Sequence, residues 1–231
     1  MPRVLPIDRF PQLIQDASQI FIAHGYSRTQ MEDVSAAAGI AKGTLYSYVE
    51  SKAALLDAAL RYSDRIEPLP SPAELPLPTP PAGTTVAHVR KRLEAETQGL
   101  ALAAALNRKR VSNPTVELSE IVNDLYRRLA RNRNGIKLLD RLSSEFPEFS
   151  ELWFGEGRWA QHSALLNYLD RRMAMGAFKP LPNTPIVARA ILETITFWAV
   201  HRHWDPSPQQ VAEVDVEATV TELILRWLIK E

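Results

Sequence analysis

The stretch from Thr29 to Lys52, TQMEDVSAAAGIAKGTLYSYVESK, reads as two short helices joined by a tight turn. Thr29 and Glu32 have the spacing of a capping box, in which the hydroxyl satisfies an orphan first-turn amide and the carboxylate reaches back to the cap amide. Met31, Val34 and Ala38 share one helical face, and Gly39 stands where a left-handed residue stops a helix. A second helix is predicted from Ala41 through Val49, with Leu45 and Val49 inward and Lys42, Thr44, Tyr46, Ser47 and Tyr48 outward. That outward face suits a DNA major groove: Gly43 lets the backbone come close, Lys42 and Thr44 reach base edges, and the tyrosine hydroxyls bond phosphates. A plain packed hairpin fits less well. Tyr46 and Tyr48, two residues apart, point about 200° from each other on a helix, so one core face cannot bury both.

The segment resembles the helix-turn-helix of TetR-family transcriptional regulators. Thr29, Asp33, Val34, Ala38, Gly39, Ile40, Lys42, Gly43, Thr44, Leu45, Tyr46, Tyr48, Ser51, Lys52 and Leu55 carry the resemblance, without a gap. It implies a recognition helix starting at Ala41, backbone contacts from Tyr46 and Tyr48, and a phosphate held by Lys52. The DNA-binding set is then Arg28, Thr29, Lys42, Gly43, Thr44, Tyr46, Ser47, Tyr48 and Lys52. Three positions depart from the family pattern. Ala41 stands where Ser or Thr is common, removing an N-cap hydroxyl worth about 1 kcal/mol; Val49 replaces a common Phe, and Ala53 a common acidic residue.

At 231 residues the chain accommodates two domains. It has no cysteine, which excludes disulfides and thiolate metal sites. The opening MPRVLPIDRF lacks the apolar core of a signal peptide, and no apolar run is long enough to span a membrane. The expectation is a cytoplasmic protein with no membrane association. Lys plus Arg and Asp plus Glu balance at 27 each, so any nucleic-acid contact relies on a few placed cations such as Arg28, Lys42 and Lys52, not on a broad basic face.

A first helix is predicted from Asp8–Pro11 to Gly25, and Ser51 caps a fourth that runs to about Arg65. Pro68, Pro70, Pro72, Pro76, Pro78, Pro80 and Pro81 then forbid a helix. They are read as a stiff linker or loop between a DNA-binding domain, 1–66, and a helical domain, 84–231. Helices are predicted near 85–108, 114–131, 136–145, 147–175, 185–203 and 215–230, with Asn113-Pro114, Asn134-Gly135, Gly176 and Thr184-Pro185 as stops and starts and Gly155 and Gly157 as kink sites. The fold class is therefore all-α: an N-terminal three-helix helix-turn-helix domain and a C-terminal helical bundle.

No catalytic or metal-ligating arrangement stands out. His201 and His203, two apart on a helix, point in different directions, whereas a shared metal needs i, i+4. The expectation is not an enzyme, with no cofactor and no metal. All five tryptophans lie beyond residue 150, where large aromatics can line an apolar cavity or form core and interface. Helical facing nominates Thr97, Asn123, Tyr126 and His162 as polar groups around an apolar or aromatic small-molecule effector. In 185–203, Val187, Ile191, Thr194 and Trp198 form one stripe and Ala188, Leu192, Ile195 and Ala199 another. A helix apolar on two faces needs two covering surfaces. One is the subunit's own core. The other is a partner copy, so Val187, Ile191, Thr194 and Trp198, with Leu223, Ile224 and Trp227 of the last helix, are the predicted homodimer interface.

The function these expectations imply is a repressor that leaves a pseudo-palindromic duplex operator when an effector binds. The alternative is a helical DNA-binding regulator controlled by a protein partner or without effector binding.

Overall fold

A computed structural model describes residues 7–230. The residues before Ile7, and Glu231, which the domain reading includes, lie outside them. In chain order the helices are α1 (Phe10–His24, after a 3-10 turn at Ile7–Arg9), α2 (Met31–Ala37), α3 (Lys42–Leu45), α4 (Lys52–Tyr62), α5 (Thr84–Thr97), α6 (Ala101–Asn107), α7 (Pro114–Arg131), α8 (Arg133–Leu142), α9 (Pro147–Ser150), α10 (Trp159–Ala174), α11 (Thr184–Ala199) and α12 (Glu213–Leu228). Among the described residues there is no strand, only two isolated bridges. The all-α expectation is met.

The chain divides into two compact units, and the division does not follow the linear boundary predicted at 67–83. One unit holds the residues up to Arg92 together with Asn134–Trp153; the other holds Leu93–Arg133 and the residues from Phe154 onward. The later helical segment joins the first unit through remote carboxylates that local pattern cannot reveal.

In the first unit, α1 packs against α2 and α4 around Phe10, Leu13, Ile14, Ala17, Phe21, Val34, Leu45, Leu55 and Ala59, all buried. Ser51 accepts from the Ala54 amide and caps α4, as predicted. Asn134-Gly135, predicted as a turn, lies inside α8. The Asp64 carboxylate just past α4 accepts from the Asn134 and Gly135 amides at 2.8 and 3.0 Å and from Arg92 at 2.9 Å. Those are orphan first-turn donors, so a distant side chain supplies the cap that the local sequence lacks. A Cβ on Gly135 would lie 2.9 Å from Asp64 Oδ2, which is why glycine serves there. Burial pushes the Asp64 carboxyl up, against the opposing pull of Arg92 and the two amides.

In the second unit, α7, α10, α11 and α12 pack together, with α6 against α7 and α10. Asn113 caps α7 as expected, through Oδ1 and the Val116 amide. The predicted helix 85–108 is broken at Gly99, whose φ of 63° ends α5. The predicted 147–175 helix contains a π-helical segment, Glu151–Arg158, spanning the two glycines that marked a kink. The α11 cap is Asn183, not Thr184. Inside this unit Arg172 and Glu117, 1% and 4% exposed, pair at 2.7 Å. Tyr168 Oη donates to the same Glu117 oxygen and Arg172 also donates to the Ala105 carbonyl, so the buried charges have hydrogen-bonding partners.

Candidate nucleic-acid interface

The turn between α2 and α3 forms as the sequence dictates. Gly39 takes φ 62° after the α2 C-terminus, and its amide bonds the Ala36 carbonyl. The start of α2 differs from expectation. The Gln30 amide donates to Asp33 Oδ2 at 2.8 Å, so Gln30 is the cap. Thr29 is fully buried and its hydroxyl donates to the Gly25 carbonyl at 2.6 Å, which removes it from the exposed set. The freed Glu32 carboxylate instead pairs with Lys42, which holds the carboxyl below its usual range.

The recognition segment is shorter than predicted. α3 is one turn, Lys42–Leu45, followed by turns at 46–48 closed by Tyr46, Ser47 and Tyr48 amides onto the Lys42, Thr44 and Leu45 carbonyls. Its N-cap Ala41 makes no side-chain cap bond, as expected. Lys42, Gly43 and Tyr46 are exposed and Thr44 and Ser47 half-exposed, so these five present one uncovered face. Tyr48 corrects the outward reading: it is 1% exposed, with its ring 6.2 Å from that of Phe10. Tyr46 faces out at 40% exposure, and because both tyrosines follow the end of α3 their directions are set by the turns and not by a helical angle.

Two cations differ from their expected roles. Lys52 Nζ donates to the carbonyls of Tyr26 and Thr29, each at 2.9 Å, and lies 4.5 Å from the Tyr26 ring centre. It staples the α1–α2 turn to the start of α4. Arg28 is exposed, and its Nε donates to the His24 carbonyl at 2.9 Å. The same turn receives a carboxylate that sequence reading missed. Glu145 accepts from the Tyr26 and Ser27 amides at 3.0 and 2.7 Å. A Cβ on Gly25 would sit 2.0 Å from Glu145 Oε1, and Gly25 has φ 82°, so both space and backbone demand glycine. No local signal connects residue 145 to residue 26.

Each of the four effector candidates has a hydrogen-bond or close polar partner within the chain. Thr97 is exposed and donates to the Glu94 carbonyl. Asn123 accepts from Thr221 at 2.6 Å, Tyr126 donates to Glu213 at 2.9 Å, and His162 Nε2 lies 3.1 Å from the Pro185 carbonyl. The residues of the predicted dimer stripe differ in burial. Ile191 and Ile224 are core residues at 1% and 0% exposure, while Val187, Thr194 and Trp198 are half-exposed. Ile186, Ala190 and Phe197 of α11, at i, i+4 and i+11, and Leu223 and Trp227 of α12, which packs against α11, are exposed apolar residues.

A small helical unit that offers a short, uncovered second helix after a glycine turn has the architecture of a helix-turn-helix DNA-binding protein. Residues 13–59 match the sequence model of the family described as bacterial regulatory proteins, tetR family. The matched residues run from α1 into α4 and include the whole α2–turn–α3 segment. No curated protein matches the chain. The fold is similar over nearly its whole length to that of the ketosteroid transcriptional regulator KstR2 of Mycobacterium tuberculosis, at TM-score 0.59, 18% identity and coverage of 97% of this chain and 96% of that one. It is similar to SCO3833, a TetR-family member from Streptomyces coelicolor A3, at 0.54, 22%, 94% and 91%. AibR in complex with isovaleryl coenzyme A and operator DNA is similar at 0.50, 13%, 94% and 97%. No helix among the described residues is long and apolar enough to cross a membrane.

Proposed function

We propose that the chain is a cytoplasmic repressor that binds a pseudo-palindromic operator as a homodimer and is released by a small-molecule effector in its C-terminal helices. The observation that carries the reading is the uncovered face of Lys42, Gly43, Thr44, Tyr46 and Ser47 on a segment matched to the TetR family. Two copies joined through Ile186, Phe197, Leu223 and Trp227 would present two such faces. Successive major grooves require about 34 Å between them, so an effector that shifts this spacing lowers affinity. That AibR has been crystallised with a coenzyme A thioester and operator DNA supports an effector of that general kind, with an apolar part to be buried. The reading assigns no catalytic step and no cofactor.

A second reading, control by a protein partner or by none, is favoured by one observation: Thr97, Asn123, Tyr126 and His162 each bond elsewhere within the chain. Mobility shift on the DNA upstream of the chain's own coding sequence tests both. Binding that acyl-coenzyme A thioesters or apolar aromatics reverse supports the first. Binding that no small molecule changes supports the second, and absence of any selective shift removes both.

A further inference from the structure

The proline-rich segment contacts the recognition segment in a way its sequence does not announce. The Leu77 amide donates to the Tyr48 carbonyl at 2.8 Å, and the Leu77 carbonyl accepts from the Glu50 amide at 3.0 Å, a parallel bridge at Val49. Two residues on, the Thr79 amide donates to Glu50 Oε2 at 3.0 Å and its hydroxyl to Ser51 Oγ at 2.7 Å. Ser51 is the α4 cap, so one short strip holds the whole joint between α3 and α4. The excursion is tied at both ends: Glu67 pairs with Arg61 and His88, and Thr85 donates to Asp57.

The alternation Pro76-Leu77-Pro78-Thr79-Pro80 explains why this strip can dock in one register. Each non-proline residue precedes a proline, which confines it to extended backbone before docking. Prolines donate nothing, so within 76–80 the amides of Leu77 and Thr79 are the only main-chain donors. Both are used on the 48–51 joint. A one-residue slip would offer prolines where donors are needed. The stiffness lowers the ordering cost of docking.

The joint needs such support. α3 is a single turn without a side-chain N-cap, far shorter than a helix that holds its own shape. We propose that residues 71–79 form a strap that positions the recognition segment, with Leu77 and Thr79 as positioning residues for base readout through Tyr48, Glu50 and Ser51. The proposal rests on the DNA-binding reading above. The strap sets which α3 geometry is populated, and apparent affinity for a specific site falls with the fraction of chains in that geometry. Non-specific affinity, carried by phosphate contacts, is far less demanding of it.

The test uses the full chain and a duplex that the wild-type chain selects from a random-sequence pool. Affinity for that duplex is compared with affinity for random duplex of equal length. Replacing Ser71–Thr79 with a Gly/Ser segment of the same length is expected to lower the ratio about tenfold or more. Leu77→Pro and Thr79→Val, which each remove a donor, are expected to lower it severalfold, with faster amide exchange at Glu50 and little change in thermal midpoint. A strap that merely stabilises the fold would lower the midpoint and leave the ratio unchanged, which overturns the proposal. Should the Gly/Ser chain unfold, the two point variants decide. If the wild-type chain selects no sequence, the DNA-binding reading fails first and the strap proposal falls with it.

Discussion

Lys52 Nζ sits 2.9 Å from the Thr29 carbonyl and equally close to that of Tyr26, so the ammonium is spent on joining the start of α4 to the turn before α2. Removing it leaves two half-buried carbonyls short of a charged donor, at a cost of about 2 kcal/mol. Lys52→Met is therefore expected to lower the unfolding free energy measured in urea by about 2 kcal/mol while changing the salt dependence of DNA affinity little. A large drop in salt slope with unchanged stability would instead place Lys52 on a phosphate.

Glu32 holds Lys42 by an exposed ion pair on the uncovered face. Facing DNA, that carboxylate both repels phosphate and competes for the ammonium. Glu32→Gln is expected to raise duplex affinity severalfold and to steepen its salt dependence, because one more cation is free to displace counterions. Titration of both proteins against one duplex at several salt concentrations checks this.

Glu145 carries a pH dependence of stability. Burial pushes its carboxyl up, but hydrogen bonds from Ser27 and Tyr26 and the charge of Arg141 outweigh it and hold the carboxyl below the ordinary 4.5. A carboxylate held low stabilises the fold above its unfolded pKa and loses that contribution as pH falls through the folded one. Wild type should exceed Glu145→Gln in stability by a constant margin near neutrality, and the margin should close as pH drops below 4.5. Denaturant midpoints of the pair between neutrality and acid give the comparison.

The face of Ile186, Phe197, Leu223 and Trp227 is the proposed seat of the second copy. Phe197→Asp, at a position 39% exposed, is expected to leave the fold intact and to convert a dimer into a monomer by sedimentation at micromolar concentration. Ile191→Asp, at a position 1% exposed, is expected to unfold the chain instead. A wild-type chain that sediments as a monomer would remove the dimer, and a dimeric Phe197→Asp chain would move it to another surface.

What could be read locally was read from residues close in sequence. Gly39, Ser51 and Asn113 act within four residues of themselves, and each does what its type and spacing imply. The fate of Tyr48 was not legible in the same way, because its partner Phe10 lies on another helix and the chain unwinds after Leu45, which changes the angle at which the side chain leaves. Ile191 and Phe197 show the same limit. Periodicity gave α11 two apolar stripes, but which stripe meets the subunit's own core depends on where α7, α10 and α12 pack against it.

The sequence by itself determined the all-helical class, the glycine turn, the Ser51 and Asn113 caps and the resemblance carried by residues 29–55, since caps, breakers and 3.6-residue periodicity act over one or two turns. Tertiary structure alone decided that Asp64 caps α8, that Glu145 and Lys52 secure the 25–29 turn, and that Leu77 and Thr79 brace the joint after α3. Each of those is a hydrogen bond between groups at least 20 residues apart in the chain. Donor and acceptor chemistry at either end is common to many residues, and only folding selects which of them meet.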